Sequence, residues 1–273
     1  MEVIDFSTAN GPEFYTVDQT QTAAPRLDRA HACETCHRSE RTLGVPGLLV
    51  LSTPEAYGGG ANYQNMVTDH RTPLRERWGG WYVTGLSGGW RHRGNRIGQG
   101  WLESLWDQFD ITGYPAAYSD IVALMMLEHQ SRALNLVTTL SDRARRFDVR
   151  TEPVRRIVAG LVDYFLFIDE APLPARVIST SGFAQYFQQS GVRDRKGRSL
   201  RDLDLKHRLL RYSCSYMIYS PAFTSLPENA RHAVYDRMRE VLSPDARVTI
   251  LEILTDTSAD FREYLHSRKA LVN

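Results

Sequence analysis

The sequence predicts an α+β fold: a glycine- and tryptophan-rich N-terminal part with short strands, packed on a mainly helical C-terminal part. Two observations carry this expectation. Before residue 110, Gly, Trp and β-branched or aromatic residues dominate; after it, long stretches run without Gly or Pro and repeat apolar residues at helical spacing. The expected division is 1–110 and 111–273, packed as one unit. With 273 residues, the chain can bury a core that needs no staples.

The elements follow in order. "EFYTV" (13–17), "GLLVLS" (47–52) and "GWYVTG" (80–85) are short strand-like runs bounded by Gly or Pro. "AYGGGANYQN" (56–65) predicts a loop and "GLSGG" (85–89) a turn. "YSDIVALMMLEHQSRALNLVTTL" (118–140) predicts a helix capped by Ser119 or Asp120, and its apolar segment 121–127 implies burial on every side. A second helix, 151–170, opens with Thr151 and Pro153 and stops before Pro172. Ser225 and Glu228 stand at capping-box spacing ahead of a helix that places Ala230, Val234, Met238 and Val241 on one face. A last helix is expected over 246–256.

Charge and composition exclude several functions. Lys plus Arg (33) nearly balances Asp plus Glu (32), so nothing points to nucleic acid. No apolar run reaches the roughly eighteen residues of a membrane span. Three cysteines, an odd number, are not a disulfide framework.

The chemistry lies in "HACETCHRSE" from residue 31, where Cys33, Cys36 and His37 form a CxxCH motif. In c-type haem attachment each thiol adds to one porphyrin vinyl group, and two intervening residues let both sulfurs reach one edge of the ring. The following histidine then binds iron from the proximal side. The rivals are weaker. Zinc needs two further ligands, and adjacent Cys36 and His37 suit two tetrahedral corners poorly, although His31 is near. A thioredoxin-like pair expects a strand before the motif and a helix opening at it, whereas "APRLDRAHA" precedes and "RTLGVPG" follows. The expected cofactor is one covalent haem c. Attachment takes place outside the cytoplasm, so a periplasmic or extracellular protein is expected. The opening "MEVIDFSTANGPEF" lacks signal-peptide features and suggests a mature or trimmed form. No long helix is expected after the motif, where "VPGLLVLS" stands, so the ordinary small cytochrome c fold is not expected.

The stretches "CETCHRSERTLGVPGLLV", "VTDHRTPLRERWGGWYVTG", "YSDIVALMMLEHQ" and "GRSLRDLDLKHRLLRYSCSYMIYS" resemble a family of uncharacterised bacterial proteins described as cytochrome c domain or haem-binding proteins. The resemblance runs from about Tyr15 to Tyr264. It implies an exported protein with a single c-type haem and carries no known reaction. The family often has Met where "RHRGN" has Arg93, which rules out a sulfur ligand there in this chain.

The sixth iron position separates an electron carrier from an enzyme. His70 is the first distal candidate, with Asp69 able to orient its ring, and Arg71, Arg77 and Trp78 are expected donors to the haem propionates. His129, on an apolar helix face, is the second distal candidate; the bland reading makes it a core histidine paired with Glu128 or a carbonyl. His92, Met66, Met125 and Met126 rank behind them, and His207, His232 and His266 are expected to be solvated. The basic run 193–202 offers a docking surface for a redox partner protein or a plain solvated loop, and Cys214 reads as a buried apolar thiol. The five tryptophans, all within 78–106, either wall the haem or form an aromatic core. The function expected is electron transfer by a monohaem c-type cytochrome. The alternatives are a peroxidase-like haem enzyme and a small-ligand haem sensor.

Overall fold

The computed structural model describes residues 1–6, 11–18, 20, 24–54, 65–95 and 101–270. It is an α+β protein, with short antiparallel strands at the N-terminal end and helices after them. The loop expected at 56–65 lies, but for Asn65, outside the described residues.

Strands β1 (Glu2–Asp5), β2 (Glu13–Val17) and β3 (Leu27–Arg29) form an antiparallel sheet in that order, with Tyr15 opposite both Val3 and Arg29. The strand expected at 13–17 is β2. Of the run 47–52 only β4 (Leu51–Ser52) is strand, and it pairs with β5 (Met66–Val67). The stretch 80–85 is not a strand: Thr84 alone bridges to Leu102 and to Asp120. Gly79 lets the chain pass close against Thr53 there, since a Cβ on it would overlap the carbonyl oxygen of Thr53. The turn at 85–89 is present, with Gly88 and Gly89 in the left-handed region that glycine tolerates.

After the single-turn helix α1 (Glu34–His37), the organising element is α2 (Ile121–Arg146). Its 26 residues span about 39 Å at the usual helical rise. Asp120 caps it, accepting from the backbone N–H of Val122 at 2.9 Å and of Ala123 at 3.3 Å. The same carboxylate accepts from Ser179 and Ser181 hydroxyls at 2.6 and 2.7 Å, which ties the 179–181 segment to the helix start. Replacing Asp120 by alanine is expected to cost about 1–2 kcal/mol or more, because the cap and both serine bonds are lost together. Urea denaturation of D120A measures it. Burial within 121–127 is nearly complete, but Leu127 is exposed.

Helix α3 (Glu152–Phe165) packs along α2, and α6 (Glu228–Val241) packs on α3. The expected run to 170 ends early because Phe167 and Asp169 turn into the left-handed region, which brings the Phe167 ring back over the buried histidines described below. Two short helices, α4 (Phe183–Gln189) and α5 (Pro221–Thr224), precede α6. The expected capping box does not form. Helix α6 starts at Glu228 with Pro227 as its N-cap, while Ser225 closes α5. Ala230, Val234 and Met238 are buried as their spacing predicts. The last expected helix is α7 (Pro244–Thr257), followed by an unexpected α8 (Ala259–Ala270). Contacts cross the residue-110 boundary at several points, among them Leu48 with Asn135 and Leu86 with Ile178.

Candidate functional site

The motif sits on a tight turn. A 3-10 turn, His31–Cys33, runs directly into α1, so Cys33 and Cys36 lie three residues apart on a helical path and His37 closes it. Both thiols are free; Cys33 is half-buried and Cys36 exposed. A short strand, β3, does precede the motif, contrary to the sequence reading, but α1 is one turn and not the long helix a thioredoxin-like pair opens. His31 lies 3.9 Å from Glu34. Among the described residues, no three His, Cys, Asp or Glu side chains gather to hold a metal ion, so a closed zinc site has no assembled donor set there.

His37 is held from behind. Its Nδ1 lies 2.9 Å from the carbonyl oxygen of Gly47, and its own carbonyl accepts from the Gly47 N–H at 2.8 Å. With Nδ1–H donating to that carbonyl, Nε2 is left as the bare ring nitrogen. The loop that delivers Gly47 follows from local sequence. Thr42 closes a 3-10 turn begun at Ser39, and Leu43 and Gly44 then take left-handed conformations that fold the chain back toward His37. Gly47 must be glycine, because a Cβ would collide with the Asn135 side chain. Asn135, fully buried on α2, clamps the next residue, accepting from Leu48 N–H at 2.9 Å and donating to Leu48 O at 2.8 Å. Phe14 of β2 packs on the imidazole with ring centroids 4.7 Å apart. Thus α2 fixes Asn135, Asn135 fixes the Gly47–Leu48 backbone, and that backbone fixes the His37 ring.

The two distal candidates are brought together with each other. His70 and His129 are buried, their Nδ1 atoms 2.8 Å apart, and His129 Nε2 lies 2.6 Å from the Ser215 hydroxyl. Tyr164 and Phe167 stack on both rings. Among the described contacts none joins either histidine to Cys33, Cys36 or His37. Asp69 pairs with Arg71 at 2.6 Å and does not orient His70; Glu128 pairs with Arg77, not with His129.

The expected propionate donors fall elsewhere too. Arg77 is 2% exposed and bonded through all three of its nitrogens: it donates to Thr72 O, His70 O and, at 3.0 Å, the Glu128 carboxylate. Trp78 is fully buried, with no partner for its indole N–H among the described residues, and it contacts the half-buried His92. Only Arg71 of the three is partly exposed, and its guanidinium is held by Asp69 and by the Tyr164 face at 5.2 Å. The tryptophans do not form one wall: Trp81 bonds Leu51 O at 2.7 Å, while Trp90, Trp101 and Trp106 are exposed. Met125 and Met126 are core. Cys214 is fully buried, which pushes its thiol up to about 12.

Burial governs ionisation in this interior. It holds His70 far below the ordinary histidine value, with His129, Arg71 and Arg77 adding to the effect, and lowers His129 as well. Burial pushes the Glu128 carboxyl up to about 7 against the pull of Arg77. In the unfolded chain both histidines take up protons below about pH 6.5 and in the folded chain they do not, so each favours folding above that pH and withdraws stability as pH falls. Glu128 acts in the opposite sense, binding its proton in the folded state between its ordinary 4.5 and about 7. His92, also lowered by burial, adds to the histidines, and Glu170, raised by burial, adds to Glu128. The three histidines outnumber the two carboxyls, so stability is expected to fall as pH drops from 7 to 5, by a slope on the order of 1 kcal/mol per pH unit. Urea midpoints at pH 7, 6 and 5 check this.

Comparison with known proteins finds no matching family model, no matching curated protein and no matching solved structure.

Proposed function

We propose that the chain is a monohaem c-type cytochrome acting in electron transfer, with haem attached at Cys33 and Cys36 and His37 as proximal iron ligand. One observation carries the reading: His37, which closes the turn that bears two free thiols, bonds the Gly47 carbonyl through Nδ1 at 2.9 Å. A metal-bound histidine characteristically gives its second ring N–H to a carbonyl or carboxylate, which fixes the tautomer and raises the donor strength of the other nitrogen. Bound haem supplies one-electron exchange between ferric and ferrous iron. The chain's own residues hold the imidazole in register through Asn135 and Gly47, and Phe14 limits its rotation. In keeping with attachment outside the cytoplasm, the proposal places the protein in the periplasm or at the cell exterior, with a redox protein as its partner. No helix among the described residues is long and apolar enough to cross a membrane.

A second reading, a haem enzyme or small-ligand sensor, is favoured by the placement of His70 and His129. Both are buried and bonded to each other through Nδ1, His129 also bonds Ser215, and no described contact joins either to Cys33, Cys36 or His37, so neither is placed beside the motif as a distal ligand. Absorption spectra of protein matured with c-type haem machinery, with and without carbon monoxide, separate the two. A low-spin spectrum indifferent to carbon monoxide supports the carrier; carbon monoxide binding supports the open site. A chain that takes up no covalent haem sinks both.

A further inference from the structure

In the basic run 193–202 four of the five cations are ion-paired, and Arg201 lies over the Phe187 and Tyr216 rings and donates to Ser190 Oγ. Arg193 pairs with Asp202, Arg195 with Asp256, Lys196 with Glu252, and Arg198 with both Asp194 and Glu252. A different surface lies beside the motif. Between the exit of α1 and the last turns of α2 opens a cleft of about 490 Å3, lined by Arg38, Arg143, Arg145 and Arg146 with Asp142 as the acid among them. Arg38 directly follows His37, and Pro46 in the cleft wall directly precedes Gly47, the residue that holds the His37 ring.

The charges there do not cancel. Asp142 takes Arg146 at 2.6 Å and lies 3.8 Å from Arg143, and Glu34 takes Arg38 at 3.1 Å. Arg145 is exposed and has no ion pair among the described residues. Four arginines against Asp142 and Glu34 leave two cations in excess, in a chain whose total formal charge is only +1. Thr138 also lines the cleft, but its hydroxyl is buried and only the guanidinium groups face an incoming ligand. Guanidinium groups around a small concavity fit carboxylates.

We infer that this cleft is where an acidic face of the redox partner protein docks, bringing its carboxylates against Arg143 and Arg145 next to the haem-bearing turn. The inference rests on the proposed haem function and names the partner surface for that site.

The test uses small probes of opposite charge on the full, haem-loaded chain. Ferrous protein is oxidised by one electron with hexacyanoferrate(III), an anion reduced to hexacyanoferrate(II), and in parallel with hexaammineruthenium(III), a cation reduced to the ruthenium(II) complex. The double variant R143E/R145E reverses two exposed charges at the cleft. The double variant R155E/R156E makes the same net change on the exposed first turns of α3, where both arginines are about 70% exposed. At low salt R143E/R145E is expected to slow hexacyanoferrate about threefold or more and to speed the ruthenium complex, with the difference fading as salt rises. R155E/R156E is expected to move both rates far less. Equal responses in the two doubles, or none in either, overturn the docking site while haem absorption stands. Absence of covalent haem in wild-type protein overturns the docking site together with the function on which it rests.

Discussion

Glu128→Ala is expected to destabilise the protein by about 3–5 kcal/mol, the usual cost of removing one partner of a buried ion pair. Arg77 and Glu128 are 2% and 0% exposed in their side chains and 3.0 Å apart, so alanine at 128 leaves a buried guanidinium without its counter-charge. Arg77 cannot relieve the strain by losing its proton, because guanidinium stays charged in proteins. It also cannot swing away cheaply, since it bonds the carbonyls of Thr72 and His70 at 2.7 and 2.9 Å and thereby shapes the segment leading into Trp78. Glu128→Gln is expected to cost much less than alanine. An amide oxygen still accepts from Arg77, and burial already pushes the Glu128 carboxyl up to about 7, so the neutral side chain suits the site. Urea denaturation of the two variants at pH 7 checks the order. An alanine variant within 1 kcal/mol of wild type would show that the Arg77 charge is met by something else.

The second large effect concerns cofactor retention. Replacing Cys33 and Cys36 together by alanine is expected to abolish haem that resists extraction by acid and organic solvent. Replacing Cys214 is expected to leave it intact. The contrast follows from position and chemistry. Cys33 and Cys36 are free thiols at the surface of one helical turn, and only there can two thioether bonds form to one ring edge. Cys214 is sealed in the core, and its thiol, pushed up to about 12 by burial, supplies almost no thiolate. Retention of extraction-resistant haem in the C33A/C36A double would remove the motif from the account.

Local patterns were legible in the sequence and distant pairings were not. Strand β2 and the starts of α2 and α3 follow from alternation, Asp120 and Pro153, all signals contained within a few residues, although the Thr151 hydroxyl bonds back to Asp148 O and does not cap α3. Where a local signal failed, a neighbour outvoted it. Pro227 took the N-cap that Ser225 was expected to fill, and Phe167 left the helix to cover His70 and His129. Helix α8 went unforeseen as a separate element, since "ADFREYLHSRKA" has charges on every side and a weak apolar face.

The site divides the same way. The CxxCH turn is contiguous and readable, whereas its support is not. His37 reaches Gly47 ten residues on, and Asn135 reaches Leu48 across 87 residues. Pro46-Gly47 was the available sequence signal, a turn dipeptide placed where a histidine acceptor is needed. His70 and His129 were each singled out as chemistry-bearing, but nothing short of the fold shows two histidines 59 residues apart sharing one hydrogen bond. Arg77 shows the opposite error: a cationic residue beside aromatic ones suggests an anion donor, and burial with Glu128 makes it structural.

The central claim is that the turn at Cys33, Cys36 and His37 carries a covalent haem. Its most direct test is the intact mass of the wild-type chain matured by c-type haem machinery, taken with its reduced absorption spectrum in alkaline pyridine. The expected result is a chain heavier by one haem, with the spectrum of a ring saturated at both vinyl positions. A chain at its bare mass, with no haem absorption after denaturation, would contradict it.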